Sequence, residues 1–148
     1  MAYPILLVLH LFAAILFVGT VFFEVLILES IHRHVPARAM KMVEGALGRR
    51  LRRVMPWVIL TLFGSGLGML HLRYAPLLAE PLGTRPSATL LSLKLLLALS
   101  VLGHFIFAMY SLRVGRMTGQ RSRRIHYSVF AHVVLIVLLA KGMFYLSW

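Results

Sequence analysis

Apolar side chains fall in four long runs along this chain, and the charges collect in the short stretches between them. Tyr3 to Leu28 is interrupted only by His10, Thr20 and Glu24, and Val54 to Leu72 holds no formally charged residue. Ser87 to Leu112 contains Lys94, and Ile125 to Trp148 contains His126, His132 and Lys141. A helix needs about 20 mainly apolar residues to cross a bilayer. The pattern therefore predicts an all-α, integral membrane four-helix bundle with spans at 3–28, 54–72, 87–112 and 125–148. The first run is too long for a signal-peptide core and lacks a basic leader and a small-residue cleavage site, so it reads as a mature span.

The connections differ in kind. Across Ala37 to Arg53, Met40, Val43, Ala46, Leu47 and Leu51 recur at helical spacing opposite several basic residues. That predicts an amphipathic cytoplasmic segment at 37–53 feeding the second span, either along the lipid interface or protruding below it. Pro56 suggests a bend near its entry to the bilayer. The second connection, Arg73 to Pro86, carries three of the six prolines and reads as a non-helical loop. No internal repeat is visible, and the whole chain, residues 1–148, reads as one domain.

Composition supports the membrane reading: apolar residues make up 60%, charged residues only 14%, and mean hydropathy is +0.88. Soluble domains lie nearer one quarter charged. The absence of cysteine excludes disulfides, thiolate zinc sites, iron–sulfur clusters and covalently attached c-type haem. A net charge of +12 would point to nucleic acid in a soluble protein, but here it encodes topology, so no nucleic acid is expected. The first loop carries Arg33, Arg38, Lys41, Arg49, Arg50, Arg52 and Arg53, and the third Arg113, Arg116, Arg121, Arg123 and Arg124. The loop between them has only Arg73 and Arg85. Twelve against two predicts two basic cytoplasmic loops and both termini periplasmic, in a bacterial inner membrane. Tyr145 and Trp148 suit an outer aromatic belt.

Polar side chains inside such spans are expensive and are candidates for function. At a rise of about 1.5 Å per residue, His10, His71 and Lys94 fall in the outer half of the bilayer. His104 and His132 share a level in the inner half, with Glu24 near it. At about 100° per residue, His10, Phe17 and Glu24 share one stripe. Gly64, Gly68 and His71 share another, close to Trp57, where small residues permit close packing or leave room for a flat cofactor. Lys141 points away from His132. His126, His32, His34 and Glu29 read as boundary or solvated residues. Eight methionines raise a copper reading, since thioethers suit Cu(I), but only Met69 near His71 makes a suggestive pair.

Leu9-His10-Leu11-Phe12-Ala13-Ala14, running on to Phe17-Val18-Gly19, resembles the first helix of the copper-resistance protein D family. So do Arg53-Val54-Met55-Pro56-Trp57 and Gly64-Ser65-Gly66-Leu67-Gly68. Leu93-Lys94-Leu95 and Gly103-His104-Phe105 are similar both to that family and to the membrane-type bacterial protoporphyrinogen oxidases. The first resemblance implies copper handling at the inner membrane. The second implies a b-haem protein with an important first-helix histidine and third-helix lysine, positions that His10 and Lys94 match. After the first span the chain departs from the oxidase pattern: Glu24 through Glu29-Ser30-Ile31-His32 replaces an Arg-containing stretch and a Tyr-His pair.

The functional expectation is a membrane oxidoreductase or electron-transfer protein binding one or two b-type haems. The candidate iron ligands are His10 and His71 in the outer half and His104 and His132 in the inner half. Lys94 would ligate or pair a propionate, and Glu24 would handle protons or charge. A redox partner or quinone would exchange electrons with it, in a homo-oligomer or a larger membrane complex. The alternatives are a copper-transport or copper-resistance protein using the same histidines with Met69, and a non-catalytic accessory subunit whose polar residues only fix helix packing.

Overall fold

In hydrocarbon a backbone N–H or C=O has no water to pair with, so an apolar run this long must satisfy itself as helix. The computed structural model describes residues 2–81 and 83–145. Among them every regular element is helical, and four helices are long and apolar enough to cross a membrane. Helix α1 is Ala2–Phe22, continued by a π-helical stretch, Phe23–Leu28, and a last turn, Glu29–Ile31. Helix α2 is Ala37–Met69, α3 is Pro86–Arg113 and α4 is Gly119–Tyr145. Trp148, expected in the aromatic belt, lies outside the described residues, as does the end of the fourth expected span.

One expectation holds and one changes. The amphipathic segment does feed directly into the second span: α2 runs without interruption through Pro56 for 33 residues, about 50 Å at 1.5 Å per residue. The connection Arg73 to Pro86 is not wholly non-helical. A π-helical stretch, Leu70–Tyr74, and a short turn, Ala75–Leu78, carry helix to Leu78, and Pro86 already belongs to α3. Both Pro76 and Pro86 sit in the first turn of their helices, where proline's missing N–H costs nothing and its fixed φ favours the start.

The chain packs as two units, residues 1–72 and 73–148. In the first, α1 and α2 form an antiparallel hairpin joined by a tight link in which the Ile31 carbonyl accepts from the His34 and Val35 N–H groups (2.9 and 3.2 Å). Below it His32 Nε2 lies 2.7 Å from Glu44 Oε1, an exposed pair. The packed face of α1 is Ala13, Phe17 and Val21, continued by Val25 beyond its end. On α2 the packed residues are Met40, Val58, Ile59, Ser65 and Met69. Gly66 and Gly68 bring the backbones together: a Cβ on Gly66 would stand 3.1 Å from the His10 ring, and one on Gly68 would stand 2.9 Å from Leu6. The expected stripe of Gly64, Gly68 and His71 is thus only partly the packed one. Gly64 has open space beside it, and Trp57 and His71 are exposed.

In the second unit α3 and α4 form another antiparallel pair, with Ala88, Leu91, Val101 and Ser111 buried on α3 and Val129 and Val133 on α4. Its turn combines two termini. Gly115, at φ +67°, ends α3 in the left-handed conformation that glycine adopts without a Cβ penalty. Arg116 N–H then donates back to the Ser111 carbonyl at 2.9 Å. Thr118 starts α4, its Oγ1 accepting from Arg121 N–H at 3.2 Å.

The helix contacts predict a contrast between neighbouring glycines. Gly68→Val should weaken the first hairpin by about 1–3 kcal/mol, because the added atoms would displace the Leu6 side chain that fills the space beside the glycine. Gly64→Ala, in open space, should be neutral or slightly stabilising. Unfolding of both variants in detergent, followed by circular dichroism, checks this; equal effects would contradict the register.

Candidate functional sites at the helix seams

His10 is built into the seam of the first hairpin. It lies half-buried on α1, and its Nδ1 is 2.9 Å from the Leu62 carbonyl on α2 and 3.3 Å from Ser65 Oγ. A carbonyl only accepts, so Nδ1 must carry the proton, and Nε2 is the lone-pair nitrogen of the neutral ring. The Ser65 hydroxyl spends its own proton on the carbonyl of Thr61 (2.5 Å), with that of Leu62 further off at 3.2 Å. Its oxygen is thus turned toward His10 as an acceptor. The ring edge at Cε1 and Nδ1 lies beside Gly66, where a larger residue would press on it. A ring nitrogen tied to a backbone carbonyl is the arrangement that orients a metal-ligating histidine and raises the basicity of its other nitrogen.

The second unit holds a different arrangement. His104 on α3 and His132 on α4 are half-buried neighbours, with ring centroids 5.4 Å apart and planes inclined at 55°. Each Nδ1 reaches the backbone carbonyl four residues earlier on its own helix, at 2.7 Å: His104 to Ser100 and His132 to Ser128. The same two serines then cross the seam. Ser128 Oγ donates to His104 Nε2 at 3.0 Å, and Ser100 Oγ donates to His132 Nε2 at 3.1 Å. Moving four residues back along α3 moves four forward along α4, so the antiparallel pairing makes the two halves reciprocal. All four ring nitrogens are satisfied.

This difference bears on haem. Bis-histidine ligation needs two Nε2 lone pairs aimed at one iron. In the His104–His132 pair both lone pairs already accept serine hydroxyls across the seam, so the donor set as arranged does not fit an iron between them. At His10 the hydrogen bonds to α2 are made through Nδ1, an arrangement in which Nε2 would be the atom to ligate.

The remaining expected residues are dispersed. His71 lies in the π-helical stretch after α2, exposed, six residues beyond Ser65. Met69 is buried in the α1–α2 seam, so it and His71 face different ways, as positions two apart on a helix do. Lys94 is half-buried on α3, in the second unit, whereas His10 and His71 are in the first. Glu24 is half-buried in the π-helical stretch, where Glu29 N–H bonds to its carbonyl. That wider turn shifts the helical phase, so the straight stripe drawn through His10, Phe17 and Glu24 holds only as far as Phe22. Lys141 is exposed, away from the face that carries His132. Among the described residues no three His, Asp or Glu side chains converge as a metal-binding group.

Comparison with family models, with curated proteins and with solved structures finds no match to this chain. Its chemistry therefore rests on these contacts. Three participants escaped the sequence reading: Ser65, Ser100 and Ser128. A signal for two of them was present, since Ser-x-x-x-His occurs at Ser100–His104 and again at Ser128–His132.

Removing the clasp's donors gives a direct check. Ser128→Ala leaves His104 Nε2 without its hydroxyl, and Ser100→Ala does the same to His132. Each should cost about 0.6–1.7 kcal/mol, the range for hydrogen bonds between membrane helices. Unfolding in detergent measures the cost, and the Nε2 nitrogen shift of the partner histidine should move while its Nδ1 shift stays. An unmoved Nε2 shift would show that the cross-helix bond is not made.

Proposed function

We propose that this multi-pass membrane protein binds one b-type haem through His10 and serves electron transfer or redox chemistry in a bacterial inner membrane, with both termini outward. One observation carries the reading: His10 is held through Nδ1 by the Leu62 carbonyl, with Gly66 against its ring. In such a site Nε2 would be the ligating atom. The exposed His71 of the same unit would be the second ligand. When bound, a b-type haem supplies a one-electron iron couple whose potential is set by burial and nearby charge. The chain's own part is to orient the imidazole, exclude water from its seam and keep the ring neutral. A quinone or a protein redox partner would be the source or sink of the electrons.

A second reading is favoured by the reciprocal bonds of His104 and His132. A fully satisfied pair of this kind suits helix locking, as expected of a non-catalytic accessory subunit. We assign those two histidines that role within the haem-binding reading. No contact of Met69 or His71 favours the copper alternative.

An absorption spectrum of protein produced with ample haem separates the readings. The expected result is Soret and α bands, lost in His10→Ala, kept in His104→Ala, and converted from low-spin to high-spin in His71→Ala. Absence of the bands in the unaltered protein, or their persistence in His10→Ala, would overturn the haem assignment and leave the accessory reading.

A further inference from the structure

The first hairpin carries, beside its seam, an open groove of about 400 Å³ that the haem reading leaves unused. Its floor is Ala13 and Val58, both buried, and its walls are Leu9, Phe12 and Leu16 on α1 and Trp57 on α2. Arg53, Trp57 and Thr61 recur every fourth residue, which places them on one ridge of α2. Phe12 is 64% and Trp57 70% exposed, so the groove opens outward and is not part of a packed interior. Neither His10 nor His71 lines it.

Arg53 stands where the basic run Arg49-Arg50-Leu51-Arg52-Arg53 gives way to the apolar part of α2. In the antiparallel hairpin that is the end of the groove nearer the α1–α2 connection. Two neighbouring arginines are turned elsewhere. The Arg49 and Arg52 side chains fold back along α2, their Nη1 atoms 3.6 and 3.5 Å from where a Cβ on Gly45 or Gly48 would stand. Arg53 lines the groove instead, and among the described residues its guanidinium has no ion pair. Glu44, the acidic residue of α2, is engaged by His32 at 2.7 Å. The groove thus joins a guanidinium at one end to an aromatic ring one turn away and an apolar trough beyond it.

We propose that this groove binds an anionic phospholipid, its phosphate at Arg53, its ester region at Trp57 and an acyl chain along Leu16, Phe12 and Leu9. Charge complementarity and the continuity of the guanidinium with the trough select this occupant. A guanidinium fork matches a phosphate diester, and tryptophan favours the headgroup boundary, where its ring is in apolar surroundings and its N–H can reach a polar group. A soluble anion would engage Arg53 and leave the trough empty. A lipid without net charge would fill the trough and gain little from Arg53. Losing one juxtamembrane arginine should weaken anionic-lipid binding about fivefold.

Native mass spectrometry of the full chain in detergent, titrated with dioleoyl phosphatidylglycerol and with dioleoyl phosphatidylcholine, tests the site. The expected result is a one-to-one adduct favouring phosphatidylglycerol, weakened about fivefold in Arg53→Gln. Arg52→Gln, which removes the same charge from the adjacent residue, should leave the adduct nearly unchanged. Trp57→Ala lowers the groove wall without altering charge; it should also weaken the adduct, and it serves if Arg53→Gln does not fold. No preference between the two lipids, equal losses in the two arginine variants, or an undiminished adduct in Trp57→Ala would each overturn the proposal.

Discussion

The absence of water around these helices is the constraint from which the rest follows. A histidine on a soluble surface can leave a nitrogen to solvent, but one in a membrane seam must find its partner in protein or ligand. The two seams answer this demand in opposite ways. In the α3–α4 pair, backbone carbonyls accept from both Nδ1–H groups, and serine hydroxyls of the facing helix donate to both Nε2 atoms. The chemistry of that pair is closed on itself. At His10, the bonds to α2 run from one side of the ring only, to Leu62 and Ser65.

Packing and polarity are linked through small residues. Lipid gives no hydrophobic drive for helices to associate, so close backbone approach and interhelical hydrogen bonds must supply it. Gly66 and Gly68 bring α2 near enough to α1 for His10 to reach a backbone carbonyl, which a helix presents to a neighbour only at short range. Serine acts similarly at Ser100 and Ser128. It is small enough to lie in the seam and carries one proton to donate across it. The apolar faces away from the seams stay exposed, as at Phe12, Leu60 and Leu138, which is how a helix meets lipid rather than water.

Much of the architecture was legible in the sequence because hydropathy and length report directly on the solvent. The four apolar runs were readable, and so was the placing of His10, His104 and His132 within them. The angular count also turned Lys141 away from His132. The same count failed elsewhere for a physical reason. It assumes α-helical phase throughout, and the π-helical stretches at Phe23–Leu28 and Leu70–Tyr74 shift that phase next to Glu24 and at His71. It also treats glycines on a common stripe as equivalent, whereas Gly64 faces open space and Gly68 faces Leu6.

The sequence by itself determined that this is an all-helical chain with four helices apolar enough to cross a membrane and basic residues concentrated between them. That much follows from free energies of transfer, which depend on each residue and its neighbours in the chain. The pairing of histidines with serines was decided only by tertiary structure. A hydrogen bond between helices depends on register and on a separation of about 3 Å, and neither is written in any single span. Histidines that look alike in sequence were thereby given different surroundings: His104 and His132 are bonded to serines of each other's helices, and His10 to a backbone carbonyl and a serine of the helix beside it.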